Sequence, residues 1–361
     1  MMWCPIRRLF LLLMVAVGIV ACGSDADLTG RQAVSPSITS TTTTTTTTSV
    51  SVTTTSTTTT TTTTLAPELA QDGDARVIRT TTDVVLPVLA VLDDGWAVRT
   101  PCQRVELVTA GTPIERVHVV VDAGHGGTEP GAVADDITEA SINLRVAGLV
   151  EEQLTDAGFV VLGTRYTDIR VPILTRVEVA EAVDAALVVS VHHQGLGQLP
   201  RSDTPGTEIY YQQNNEESRR FAGLIREEAV KELGAFEVEG GWFAGPDVGA
   251  TTRPATTGED FYGMVRRPTM PAVLAEMSFM GNPGELALLQ TEPFLEAEAR
   301  SITAAVVRWF TTDDPGSGFA ESSFTISSSG GGGGLGNCTD PDLGPTAEIP
   351  PDFDVASVGS P

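Results

Sequence analysis

The sequence predicts an α/β protein: a mixed, mostly parallel sheet with helices on both faces, preceded by a small β unit and bounded by disordered linkers. Three observations carry that expectation. Short apolar runs rich in β-branched residues, at 117–121, 159–162 and 186–191, alternate with longer segments whose apolar residues recur at helical spacing. Apart from His118 and Ser190 these runs are continuously apolar, as in strands covered on both faces. Ser/Thr-rich and Gly-rich stretches near the two ends have too little apolar surface to offset the entropy of ordering them, so the folded part lies between them.

Taken in order, the chain opens with Arg7 and Arg8 before an apolar run at 9–20. That run is too short to span a membrane and suits the apolar region of a signal peptide, assigned to residues 1–21. The ending Ile19-Val20-Ala21-Cys22 resembles the lipobox of bacterial lipoproteins. The resemblance implies that the Cys22 thiol is acylated and becomes the mature N-terminus; the alternative is an ordinary secretory signal with a chance cysteine. Both readings take the protein out of the cytoplasm. Residues 22–66 are the anchor site and linker. Within them 35–64 are almost all Ser and Thr, an extended and O-glycosylation-prone tether reaching at most about 3.3 Å per residue.

Residues 67–115 hold the small β unit. Segments 84–92 and 96–99 carry alternating apolar residues around Asp93-Asp94-Gly95, a hairpin signal. So short a unit has a small core of its own, which favours packing on the next domain over an independent binding module.

Residues 116–312 are the main domain. A strand from Val117 leads to a helix from Glu139, with Ile142, Val146, Leu149 and Leu154 on one face. A strand at 159–162, a helix near 173–183, a strand from Ala186, a strand at 208–211 and a helix over 216–233 follow. The Gly-, Thr- and Pro-rich stretch 240–258 reads as a loop with no long amphipathic helix. A strand ending at Glu276 and a helix near 294–310 complete the domain. Residues 313–361 form an acidic, Gly-rich tail, expected to be largely disordered. A formal net charge of -25 argues against nucleic acid as a partner.

The residues that carry chemistry gather at strand ends. Val117-His-Val-Val-Val-Asp-Ala-Gly-His125-Gly-Gly breaks from strand into glycines around one histidine, where open α/β sheets place their sites. Glu139 opens a helix, the run from Ala186 ends in His192 and His193, and the run from Pro271 ends in Glu276. Two histidines and a glutamate near neighbouring strand ends form the His2Glu set of a catalytic zinc. The other carboxylate is then free to act as a base. Neighbouring side chains on a strand point to opposite faces, so only one of His192 and His193 can join His125. His118 alternates with apolar strand residues and is expected to be structural.

These residues belong to a longer ordered series. It runs through Asp122-Ala-Gly-His125-Gly-Gly, Pro130-Gly131-Ala132, Glu139 with Asn143-Leu144, and Thr164-Arg165-Tyr166-Thr167-Asp168 with Arg176. It continues with Ser190-Val191-His192, Gly206-Thr207-Glu208-Ile209-Tyr210, Arg266, the segment from Pro271 to Phe279, and Asn282-Pro283. The series resembles the zinc-dependent N-acetylmuramoyl-L-alanine amidases, the amidase_3 family of bacterial cell-wall hydrolases, over roughly 117–310. The resemblance implies one Zn2+ per chain held by His125, Glu139 and His192, with Glu276 as catalytic base. It implies hydrolysis of the amide between N-acetylmuramic acid and L-alanine in peptidoglycan. From its own chemistry Arg266 is read as a binder of stem-peptide carboxylates, which a guanidinium takes in bidentate fashion, and His193, beside the ligand His192, as lining the cleft.

The departures bear on substrate fit: His193-Gln194 replaces a small residue and Asn, Glu129 an Asp, and Ala134 a Gly. Two rival readings share these features. One is a zinc peptidase acting within the stem peptide; the other is a non-catalytic peptidoglycan-binding lipoprotein, against which the intact ligand and base positions argue. The expected partners are peptidoglycan and, through the N-terminal lipid, the membrane, for an exported protein facing the cell wall; a protein activator is a partner class the sequence does not name.

Of the cysteines, Cys4 leaves with the signal and Cys22 is the acylation site. Cys102 and Cys338 remain, and in an oxidising exported setting they are expected to pair, tying the tail to the β unit. The alternative is two free thiols, because Cys338 lies in the segment read as disordered.

Overall fold

The computed structural model describes residues 65–134, 136–195, 206–237, 242, 249–322, 334–336 and 338–358. The signal segment, Cys22 and all but the last two residues of the Ser/Thr-rich linker lie outside the described residues. The first elements are β1 (Val77–Thr80), β2 (Val85–Leu92), β3 (Gly95–Arg99), β4 (Val105–Val108) and β5 (Gly111–Ile114). Then come β6 (Val119–Ala123), a hairpin of β7 (Val133–Ala134) and β8 (Ile137–Thr138), α1 (Glu139–Asp156), β9 (Val161–Gly163) and α2 (Ile173–Ala182). They are followed by β10 (Leu187–Gln194), β11 (Glu208–Tyr211), α3 (Glu216–Leu233), β12 (Gly249–Thr251) and α4 (Gly263–Arg266). Last are β13 (Ala272–Phe279), α5 (Pro283–Leu288), α6 (Glu292–Thr311) and β14 (Thr346–Ala347).

The central sheet has the strand order β12-β11-β13-β10-β6-β9. Its pairs are parallel except β11 with β13. The unbroken apolar runs have a simple cause: alternate residues feed two cores. Val119, Val121 and Ala123 of β6 and Leu187, Val189 and Val191 of β10 enter the core under α1, α3 and α6. Val120 and Val188 face the other way, into a core with Val179 and Ala180 of α2, Met264 of α4, and Val77 and Val85 of the β unit. Helices therefore cover both faces of a mixed, mostly parallel sheet, as the sequence predicts. Side chains close the helix starts: Thr138 accepts from Ser141 N before α1, and Asn215 from Ser218 N before α3.

From β6 the chain passes through α1 to β9 on one flank, then through α2 to β10 on the other flank. Open α/β sheets place their sites at such a reversal, outside the C-terminal strand ends.

The β unit is an antiparallel sheet in the order β14-β4-β3-β2-β1-β5. Its hairpin closes at Asp93-Asp94, with Leu92 opposite Gly95. A Cβ on Gly95 would stand 2.2 Å from Val108 O, so glycine is required there. His118 is buried. Val160 N donates to its Nδ1 (2.9 Å), so Nε2 carries the hydrogen donated to Pro67 O (3.0 Å). No helix among the described residues is long and apolar enough to cross a membrane.

Two expectations are corrected. The tail, expected to be largely disordered, is ordered over much of 313–358. Gly318 O accepts from Ala250 N (3.0 Å) and Ala320 N donates to Ala250 O (2.9 Å), extending the sheet beyond β12. Cys338 is disulfide-bonded to Cys102, Asp340 accepts from Thr100 Oγ1, Cys102 N and Arg104, and β14 pairs with β4. Composition misses this order because backbone pairing, a covalent link, one buried carboxylate and two isolated apolar residues, Phe319 and Leu343, hold the tail, rather than a run of apolar residues. Likewise β12 lies inside the stretch read as a loop; a Gly-Ala-Thr strand is too short to show a period.

Candidate metal centre

Past Ala123 the chain turns sharply beside the end of β10. Gly124 makes room for the neighbouring ring, since a Cβ there would stand 2.2 Å from His192 Nε2. His125, Gly126 and Gly127 take φ of 60°, 130° and 56°, which reverses the loop with His125 at its tip. A left-handed histidine is strained and needs outside support. Two buried arginines provide it. Arg176 of α2 donates Nη1 to Asp122 Oδ1 and Ala123 O (each 2.6 Å) and Nη2 to His125 O (2.6 Å). Arg165 donates Nε to Ala123 O (2.9 Å) and Nη2 to Gly124 O (2.9 Å) and Ala140 O (2.7 Å). Asp122 also accepts from Thr164 Oγ1 (2.6 Å) and Ser190 Oγ (2.5 Å). Burial opposes its charge, but Arg176 and these hydroxyls outweigh burial and hold its carboxyl below the usual range.

Glu139 enters from the first turn of α1. Ala132 N donates to Oε2 (2.8 Å), which turns Oε1 toward both histidines: 2.9 Å to His192 Nδ1 and 3.3 Å to His125 Nε2. A Cβ on Gly131 would stand 2.4 Å from Glu139 Oε2 and 2.7 Å from His125 Cδ2, so that turn must also be glycine. Burial opposes the Glu139 charge, yet the hydrogen bonds and charges of the two histidines hold it well below the usual carboxylate range. Burial pushes the His192 imidazole down, toward the neutral form that ligates metals.

His125, Glu139 and His192 each offer a ligand atom, all within 4.8 Å of one another. Two donors at about 2.0–2.1 Å from one tetrahedral ion stand about 3.3 Å apart, close to the His125–Glu139 spacing. The donor set, two imidazoles and a carboxylate, suits Zn2+.

Glu276 lies in β13 opposite His192 of β10 on one side and Glu208 of β11 on the other. It is 6% exposed, and its Oε2 is buried without a hydrogen-bond partner among the described residues. Burial, then repulsion from Glu139 and Glu208, pushes its carboxyl well above the usual range, with Arg253 acting against them. Arg253 sits 4.8 Å from the Phe261 ring centroid and donates to the Tyr262 hydroxyl.

Of the two proposed substrate binders, Arg266 donates Nη1 to Asp260 O (2.7 Å) and Phe261 O (3.1 Å), holding its own loop. His193 is a correction: it does not line the cleft. Strand alternation turns it to the far face of β10, where it is 0% exposed and bonded to Asn143 and Glu298. Arg253 and Glu298 escaped the sequence reading. Arg253 comes from a stretch with no periodic signal. Glu298 had one, because it shares the apolar face of α6 with Phe294 and Ile302.

A family model described as Amidase_3, N-acetylmuramoyl-L-alanine amidase, matches residues 119–308, more than half of the chain and every residue that builds the site. The chain belongs to the N-acetylmuramoyl-L-alanine amidase family. This amidase is 30% identical over 213 residues to the uncharacterized protein YqiI of Bacillus subtilis (strain 168), covering 58% of this chain and 90% of that protein. To the germination-specific N-acetylmuramoyl-L-alanine amidase of the same strain it is 26% identical over 213 residues, covering 55% and 82%. The solved catalytic domain of CwlV, an N-acetylmuramoyl-L-alanine amidase from Bacillus (Paenibacillus) polymyxa var. colistinus, is 30% identical, with a TM-score of 0.45 over 54% of this chain and 98% of that one. Family membership makes this amidase an enzyme that acts on peptidoglycan.

Proposed function

We infer that the protein is a zinc-dependent hydrolase of the amide joining the lactyl group of N-acetylmuramic acid to L-alanine of the stem peptide. In this reading His125, Glu139 and His192 hold the ion and Glu276 is the catalytic base. The observation that carries it is the approach of one nitrogen from each histidine to a single oxygen of a buried glutamate. Such a His2Glu set leaves a fourth position for water. Bound Zn2+ would bring the pKa of that water to about 7 and polarise the scissile carbonyl.

The chain's own residues do the rest. Glu276 stands beside His192 in the ladder with Oε2 unengaged, and takes a proton from the attacking water. The same oxygen returns the proton to the leaving amine as the C–N bond breaks. Burial, then the neighbouring Glu139 and Glu208, raise this carboxyl above the usual range, which makes it a stronger base than an ordinary carboxylate. Arg165 and Arg176 keep the His125 loop from relaxing during turnover.

The apolar run at 9–20 and Cys22 support export and lipid anchoring facing the wall, with two acyl chains giving stable attachment where one is marginal. Cys22→Ser should leave uncleaved precursor or release material from the membrane fraction; identical soluble fractionation of both forms would discard the anchor.

The reaction is tested by mass spectrometry of purified muropeptides after incubation. Stem peptides with a free L-alanine amine, together with peptide-free saccharide, are expected. Fragments cut within the stem would point to a peptidase, and bound but uncut peptidoglycan to a binding module.

A further inference from the structure

Behind Glu139, on the face of β10 turned away from the histidine pair, polar side chains form a connected line through the apolar core. His193 places Nδ1 2.7 Å from Asn143 Oδ1 and Nε2 3.0 Å from Glu298 Oε2. The other Glu298 oxygen accepts from Ser278 Oγ of β13 (2.6 Å). All four residues are 0% exposed. At its near end the line reaches Glu139: Asn143 Nδ2 donates to Gly124 O (3.1 Å) and to Glu139 Oε1 (3.5 Å), and His193 N donates to Glu139 Oε1 (3.3 Å).

Donor and acceptor bookkeeping leaves one arrangement. The Asn143 amide nitrogen faces two acceptors, so its oxygen faces the imidazole. An amide oxygen can only accept, which puts the ring hydrogen on Nδ1. The Ser278 hydroxyl occupies one Glu298 oxygen, so the other meets Nε2 with a single proton between them. Glu298 and Ser278 thus keep the His193 ring oriented, and the ring keeps Asn143 from turning its amide over. A reversed amide would present oxygen to Gly124 O and Glu139 Oε1, acceptor against acceptor. Replacing a buried pair such as His193–Glu298 with apolar residues of like volume is often neutral for stability, so stability alone gives little reason for it.

We propose that His193 and Glu298 are positioning residues: acting through Asn143, they aim the Glu139 carboxylate at the metal. The proposal rests on the reading of Glu139 as a ligand. Neither residue touches substrate; each acts through the side chain next to it.

The test is zinc affinity, measured by competition with a chelator, together with the visible absorption of the cobalt-substituted protein, on His193→Leu, Glu298→Ala and Glu298→Gln. His193→Leu fills the space without a donor. It strands Asn143 Oδ1 and Glu298 Oε2 and should melt, metal-free, below wild type, and the folded protein should bind zinc about 10–100-fold more weakly, the usual consequence of losing a partner behind a ligand. Its cobalt spectrum should differ from wild type. Glu298→Ala frees the ring and should act in the same direction; it carries the test if His193→Leu does not fold. Glu298→Gln can still accept from Ser278 and donate to Nε2, so it should restore most of the affinity lost in Glu298→Ala. Wild-type zinc affinity and cobalt spectrum in folded His193→Leu or Glu298→Ala would overturn the positioning role and leave the metal reading intact. A wild-type protein that binds no zinc would instead overturn both.

Discussion

Whether the His192 ring can reach Glu139 depends on an atom that Gly124 lacks. Gly124 does not need a left-handed φ, so its requirement for glycine is one of space alone. A Cβ 2.2 Å from His192 Nε2 would drive the ring off the carboxylate. Gly124→Ala should therefore fold, at a cost of about 1–3 kcal/mol for overpacking, and lose most of its zinc as read by elemental analysis; a full complement of zinc would show that the ring had found another seat. At this scale much of the site was legible. His125 and Glu276 announced themselves at the ends of apolar runs, and Glu139 in the first turn of a helix. Parity along β10 allowed only one of His192 and His193 into the site, but it could not say what the other does. The partner of His193 lies 105 residues away, on a helix that reaches it only through packing.

Among the elements, periodicity was most informative where packing is two-sided. The runs around Val120 and Val188 read as buried strands because one core takes their odd residues and another their even ones. Strand starts shifted by one or two residues: Val117 and His118 bond to Val183 O and Val160 O before the β6 ladder begins. What stayed hidden was held by something other than a stripe of apolar residues. Strand β12 is three residues long, and β14 owes its place to pairing with β4 and to the nearby Cys102–Cys338 bond. The loop bearing His125 is likewise shaped by the carbonyl-binding arginines of two later segments, which no local pattern encodes.

The whole molecule is joined partly through a titrating contact between the β unit and the amidase domain. Arg79 of β1 lies 3.6 Å over the Tyr166 ring, whose hydroxyl donates to Glu151 Oε2 (3.0 Å) on α1. Burial pushes Glu151 up to about 7, and it does the same to Glu285, up to about 8. A carboxyl whose folded pKa is raised contributes stability that is fully present below its unfolded value and is lost as pH rises through the folded one. Asp122 and Glu139, held low, act oppositely and lose their contribution only as pH falls below the ordinary carboxylate range. Maximum stability should therefore lie on the acid side of neutrality. Melting temperature should drop by several degrees between about pH 5.5 and pH 8.5. Glu151→Gln should flatten that slope, because it keeps an acceptor for Tyr166 without the charge; an unchanged slope would place the titration elsewhere.

The division of labour between ligand and base is tested most directly by measuring zinc content and muropeptide cleavage on the same preparations of wild type, His192→Ala and Glu276→Gln. His192→Ala should lose zinc and cleavage together. Glu276→Gln should keep near-stoichiometric zinc while cleavage falls by about 10²–10⁴, the usual cost of removing a general base. Glu276→Gln with wild-type turnover, or with zinc lost in parallel with activity, would contradict the assignment of Glu276 as base and of His125, Glu139 and His192 as the metal's ligands.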